Sequence, residues 1–191
     1  LISSSDRVPE LQGKVAAQGR VNLTAALAGI SGQDAIRLYQ GWNFVSVPRP
    51  LAPGKDTAQI FGSVSSGGHS VLEYLPQTGW RTLKASDPVS VMTGYWVYST
   101  KDDSIRLQYA QSPGIVRKQI QKGWNTWGLP VKEPVQAKSA LSAIQSIWKY
   151  VIGYDSSLQQ YESPILNGGS GDQSDDRLVR PQQGYWLYSA G

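Results

Sequence analysis

The chain has 191 residues, a formal net charge of +4 and no cysteine. The last excludes disulfides, thiolate metal sites and thioether haem attachment. Lys14, Arg20, Arg37, Lys118, Lys149 and Arg180 are scattered along the chain, whereas a nucleic-acid surface clusters its positive charge, so no nucleic-acid partner is expected.

Hydrophobic residues make up 40% of the chain and charged residues 17%, a composition suited to burying cores rather than to disorder. No stretch approaches the ~20 apolar residues of a membrane span. Seven Trp and ten Tyr stand against two Phe. Such side chains have apolar bodies and polar tips, and suit half-buried positions and binding surfaces.

The leader from Ser3 to Leu27 reads SSSDRVPELQGKVAAQGRVNLTAAL. Gly13 and Gly19 punctuate a turn-rich lead-in, and Arg20 to Leu27 can begin a short helix with Asn22 and Thr24 as caps. This wording resembles the end of subtilisin-like serine protease domains, D-x-V-P-x-L-x-G-K-V-x-x-G-G-R-x-N-x-x-x-A-L. Asp6, Val8, Pro9, Leu11, Gly13, Lys14, Val15, Gly19, Arg20, Asn22, Ala26 and Leu27 match it, and Gln18 stands where the family has a Gly.

The resemblance implies a chain that starts near the end of a protease domain, with the catalytic Ser, His and Asp motifs upstream. The start at Leu1, with no charged and apolar leader, fits a piece of something longer. A Ser–His–Asp mechanism needs an imidazole within reach of its nucleophile. The single His69 lies in SSGGHS beside Ser66 and Ser70, where the reading is a solvated loop. The chain is therefore expected to be non-catalytic.

After the spacer GISGQD the chain repeats itself. Lead-in strands are expected at AIRLYQ and IVRKQIQ. GWNFVSVP from Gly41 is answered by GWNTWGLP from Gly123. Each is followed by a segment with helical periodicity: DTAQIFGSV, with Ile60, Phe61 and Val64 on one face, and AKSALSAIQSIW, with Leu141, Ile144, Ile147 and Trp148. Strands then end at Tyr74 and Tyr154. Turns (PQTG, DSS) lead to strands carrying Trp80 or Tyr161, and the copies close on GYWVYS from Gly94 and GYWLYS from Gly184.

The expected fold is mostly β to α+β: two tandem antiparallel β-rich modules, each with one short helix, after a short turn or helix leader. Its divisions are 1–33, 34–112 and 113–191. In each closing strand alternation separates Tyr95 and Val97 from Trp96 and Tyr98, so that strand is expected to be central or covered on both faces. The repeat resembles the G-W-N-L-I-S-x-P … G-Y-W-I-Y modules at the C-terminal ends of secreted and surface proteins of archaea and bacteria. That implies an extracellular or cell-surface location, with an extracellular protein, filament or glycan surface as partner, or self-association.

Candidate binding residues are aromatic. Trp42 and Trp124 either begin a strand on the core or offer a stacking platform. Trp127 has Val45 as its counterpart, and a Trp unshared between copies marks a specific contact surface. Trp80 and Tyr161 follow turns and would sit at module tips, where aromatic rings stack on sugars. Ten extra residues separate Tyr154 from Gly184 relative to Tyr74 and Gly94, around NGGSGDQSDD. There Asp172, Asp175 and Asp176 offer oxygen ligands for Ca²⁺, against the alternative of a solvated loop. No other cofactor is expected.

Overall fold

A computed structural model describes residues 5–7, 19–21, 35–112 and 114–191. The chain divides into two compact units, Leu1–Ala35 and Ile36–Gly191. In the first, β1 (Ser5–Arg7) pairs antiparallel with β2 (Gly19–Val21). Arg20 and Val21 thus lie in a strand, and residues 22–27 of the expected helix lie outside the described residues.

The second unit is built on two sheets with one plan. In the first copy the strand order is β4 (Gly41–Ser46), β7 (Gly94–Ser99), β5 (Leu72–Leu75), β6 (Gly79–Thr82). In the second it is β9 (Gly123–Gly128), β15 (Gly184–Ser189), β11 (Trp148–Asp155), β12 (Gln160–Tyr161). All neighbours are antiparallel, and the GWN and GYW strands pair in the same register. Gly41 faces Ser99 as Gly123 faces Ser189, and Ser46 faces Gly94 as Gly128 faces Gly184. The GYW strand lies inside each sheet, as its two apolar faces require.

Smaller pairings complete each copy. β3 (Ala35–Leu38) pairs with β8 (Asp103–Arg106), so SIRLQYA belongs to the first copy, with Ile105 and Leu107 in its core. β10 (Val135–Gln136) pairs with β14 (Leu178–Val179), and β13 (Ile165–Leu166) with β11. The second lead-in, expected as a strand at IVRKQIQ, has no strand pairing.

Helix is scarcer than the periodicity suggests. The first copy has one 3₁₀ turn, Ala58–Phe61, and the second has α1 (Ala137–Ala140) and a 3₁₀ turn, Ser142–Ile144. Gly62 ends the first, and Trp148 is already in a strand. Single turns are held by packing rather than by propensity.

The motif Asn explains why GWN recurs. Asn43 Oδ1 accepts the Tyr39 N–H at 2.8 Å, and its Nδ2 donates to Tyr39 O at 2.8 Å and Gly41 O at 3.0 Å. Asn125 makes the same three bonds to Gln121 and Gly123, at 3.0, 2.8 and 3.0 Å. Both side chains are fully buried. Each satisfies the backbone groups that the preceding turn removes from the ladder. Gly41 and Gly123 hold φ of 106° and 89°, a region that glycine enters without a steric penalty.

Each sheet has its own hydrophobic core on one face. Val45, Val47, Tyr95 and Val97 pack with Ile36, Leu38 and Phe61 in the first, and Trp127, Tyr185, Leu187 and Val151 with Leu141 and Trp148 in the second. Burial pushes the Tyr95 hydroxyl up to about 12 and the Tyr185 hydroxyl well above its ordinary value. Each hydroxyl accepts one backbone N–H at 2.7 Å, from Ser90 or from Arg180.

In the connection between copies, Lys118 donates to Thr93 Oγ1 at 3.0 Å. Burial lowers its pKa from 10.5 to about 8, with Glu73 opposing the shift. The folded chain therefore holds this proton less tightly than the unfolded chain does. The cost is full below about pH 8 and is relieved as the pH climbs towards 10.5. Lys118→Met is expected to raise stability at pH 7 by about 1–3 kcal/mol, with the advantage shrinking between pH 7 and pH 10 in urea titrations. An advantage that grows over that range would contradict this burial.

Candidate functional site

The faces of the two sheets opposite these cores meet each other. Phe44 stacks on Trp96 at 4.6 Å and 8°, and reaches Trp186 of the second copy at 5.7 Å. The remaining contacts come in exchanged pairs. Trp96 meets Tyr154 at 4.8 Å as Trp186 meets Tyr74 at 5.2 Å, and Trp96 meets Tyr161 at 6.2 Å as Trp186 meets Trp80 at 5.6 Å. The hairpin of each copy thus leans on the GYW tryptophan of the other. This is the geometry of an isologous dimer, formed within one chain.

Glycine sets how closely the sheets approach. A Cβ on Gly94 or on Gly184 would lie 2.6 Å from the Phe44 ring, and one on Gly128 would lie 2.3 Å from Ser46 Cβ. Hydrogen bonds fix the register across the join. The Ser46 N–H donates to Gln182 O at 2.8 Å, and Ser46 Oγ donates to Gln183 O at 2.8 Å.

An aromatic groove of about 550 Å³ opens between the copies, and a more polar cavity of about 420 Å³ lies between Ile36, Tyr39 and Val45 of the first copy and Tyr154, Ser157 and Gln183 of the second. The aromatic groove is lined by Trp124, Ile152, Tyr161, Pro164 and Trp186 of the second copy and by Tyr74 and Trp80 of the first. Trp80 and Tyr161 are 53% and 56% exposed. One carboxylate, Glu162, lies at the rim. It accepts Gln183 Nε2 at 2.8 Å and is neighboured by Arg180 at 3.6 Å and Arg177 at 3.9 Å. The groove is a concave aromatic surface with few polar groups, the common form of a ligand site.

No family model, curated protein or solved structure matches the chain.

Three of the five aromatic candidates, Trp80, Trp124 and Tyr161, come together in this groove. Trp42 lies outside it, with His69 at 5.4 Å and Tyr98 at 5.3 Å. Trp127 is 1% exposed and sits in the second core against Tyr185, so it presents no ring to a partner. Alternation places it opposite Trp124 on β9, and the inward face of that strand is the one carrying Trp127.

The acidic loop does not gather its carboxylates. Asp175 Oδ2 accepts the Gly168 N–H at 2.9 Å, Asp176 pairs with Lys138, and Asp172 contributes its backbone carbonyl to Arg177. No cluster of three potential ligands that could hold a metal ion occurs among the described residues. Lys138 holds the exposed Asp176 carboxyl below its ordinary value. The His69 ring lies against Trp42 and Tyr98, the latter at 4.2 Å. No hydroxyl bonds to that ring among the described residues.

Sequence reasoning missed Tyr74, Trp186 and Gln159. The first two carry the join, and their signal was present: both are aromatics of the face shared with Trp80 and Trp124. Gln159 sits at the end of the turn that DSS marks, where no pattern singles it out.

Proposed function

We propose that the chain is the non-catalytic C-terminal region of a secreted subtilisin-like protease. Its two modules act outside the cell in binding: attachment, or presentation of substrate to the protease. The observation that carries the binding role is the aromatic groove between the copies. The likeness of residues 3–28 to the end of a protease domain, and of the repeats to modules of surface proteins, supports the setting. Trp80 and Tyr161 are half exposed, although burying such rings is favourable at roughly 25 cal/mol per Å². A ligand covering them gains that energy.

The test is an array of glycans and extended peptides probed with the full chain and with a Trp80→Ala, Tyr161→Ala double variant. The expected result is a ligand class whose binding falls at least tenfold in the variant, with the thermal midpoint within a few degrees of the parent. Ligands held equally well by both proteins would place the binding surface elsewhere.

A further inference from the structure

The pseudo-symmetric join creates two equivalent places, one beside the tryptophan of each GWN, and described residues fill only one. Beside Trp42 the turn of the second copy fills it. The Trp42 N–H donates to Gln159 Oε1 at 2.7 Å, and Gln159 Nε2 donates to Trp42 O at 2.9 Å. Gln159 adopts φ of 54° to do this, a region uncommon for a residue with a side chain. Gly41 supplies the room, since a Cβ there would fall 2.2 Å from Gln159 Oε1.

Beside Trp124 no described residue takes this place. β9 is an edge strand like β4, in the same register, so the Trp124 N–H and C=O also point away from the sheet. A Cβ on Gly123 would meet nothing within 4 Å. No described residue supplies a side chain to this donor–acceptor pair. Turn length is the reason. Seven residues lead from Tyr154 to Tyr161 and six from Tyr74 to Trp80. Gly79 faces Leu75 as Gln160 faces Asp155, so the shorter turn has no counterpart of Gln159. The donor–acceptor pair belongs to a residue, Trp124, that also lines the aromatic groove.

We infer that the open groove binds an extended peptide, which sets an amide of its own on the Trp124 backbone as Gln159 does on Trp42. This rests on the groove being the ligand site. The filled twin defines the chemistry: one donor and one acceptor on the same side of the ligand. A Gln or Asn carboxamide in the peptide provides this, as Gln159 does on Trp42. The trans acetamido group of a sugar points its N–H and C=O in opposite directions and satisfies only one of the two. Trp186, Trp80 and Tyr161 then offer ring faces to the proline or short apolar side chains that flank the docking residue.

The test uses the full chain, ¹⁵N-labelled, titrated with the acetylated and amidated peptide Ser-Ser-Leu-Gln-Gln-Tyr, which copies residues 156–161, and separately with a chitin tetrasaccharide. The peptide is expected to shift the Trp124 backbone amide and the indole N–H signals of Trp80 and Trp186. Glu in place of the peptide's first Gln removes the donor and is expected to weaken binding at least tenfold. Replacing residues 75–79 by the sequence of residues 155–160 supplies an internal Gln and is expected to abolish peptide binding. If that graft does not fold, the Gln and Glu peptides still decide the point on the parent chain. Shifts from the sugar alone would overturn the peptide inference and leave the groove as a ligand site. Equal binding of the two peptides would also overturn it. Silence of these signals with both ligands would sink the inference and the groove reading together.

Discussion

Phe44→Ala is expected to cost about 3–5 kcal/mol, the range for emptying a buried aromatic site. The ring is 1% exposed and stacked on Trp96, and it fills the space that Gly94 and Gly184 leave open. Its walls come from both copies, so neither copy can close the cavity alone. For a chain of this size 1 kcal/mol moves the thermal midpoint by roughly 2–4 °C, which predicts a fall of about 6–20 °C by calorimetry. The two copies should still melt in one transition. A loss below about 1 kcal/mol would mean that the ring is not enclosed. Two separated transitions in the parent protein would mean that the copies do not form one unit.

The second large effect is on the motif Asn. Asn43→Ala and Asn125→Ala should each cost about 2–4 kcal/mol, because each leaves a buried N–H and two carbonyls without partners. The two losses should be similar, as the bonding is duplicated. Asn43→Asp sharpens the test. A carboxylate there accepts the Tyr39 N–H but faces two carbonyls, so its folded pKa rises above the unfolded value of ~3.9. The folded state then binds more protons, and stability falls as the pH rises past ~4. Urea titrations at pH 3.5 and pH 7 check the sign. A variant more stable at pH 7 than at pH 3.5, relative to the parent, would contradict the hydrogen-bond assignment.

The repeat was legible because it is written in local signals. Gly-Trp-Asn, a Tyr-ended strand and Gly-Tyr-Trp recur in order, and the two sheets take the same strand order and register from them. Period-two alternation separated Trp96 from Tyr95 and Trp124 from Trp127. Alternation does not say which face turns inward, and with aromatics on both faces composition does not decide it. Trp127 therefore read as a contact residue and proved to be core. The helices read longer than they are because Ile60, Phe61, Leu141 and Ile144 pack inward from single turns.

The groove was only half legible. Trp80 and Tyr161 stood out as aromatics after turns, but their meeting in one groove depends on the isologous join, a long-range contact with no sequence period. The difference between the surroundings of Trp42 and of Trp124 depends on one residue of turn length and on Gln159, whose partner is 117 positions away. The acidic loop shows the converse. Its three carboxylates are close in sequence, yet Asp175 and Asp176 bond to different parts of the loop and of α1.

The central claim is that two copies of one module clasp through their aromatic faces and leave an aromatic groove open between them. Nuclear Overhauser contacts from the Trp186 indole of the full-length chain test it most directly. The account predicts cross-peaks from that ring to Phe44, Tyr74 and Trp80 of the first copy, together with one rotational correlation time for residues 36–191. Absence of those cross-peaks, with separate correlation times for the two copies, would contradict it.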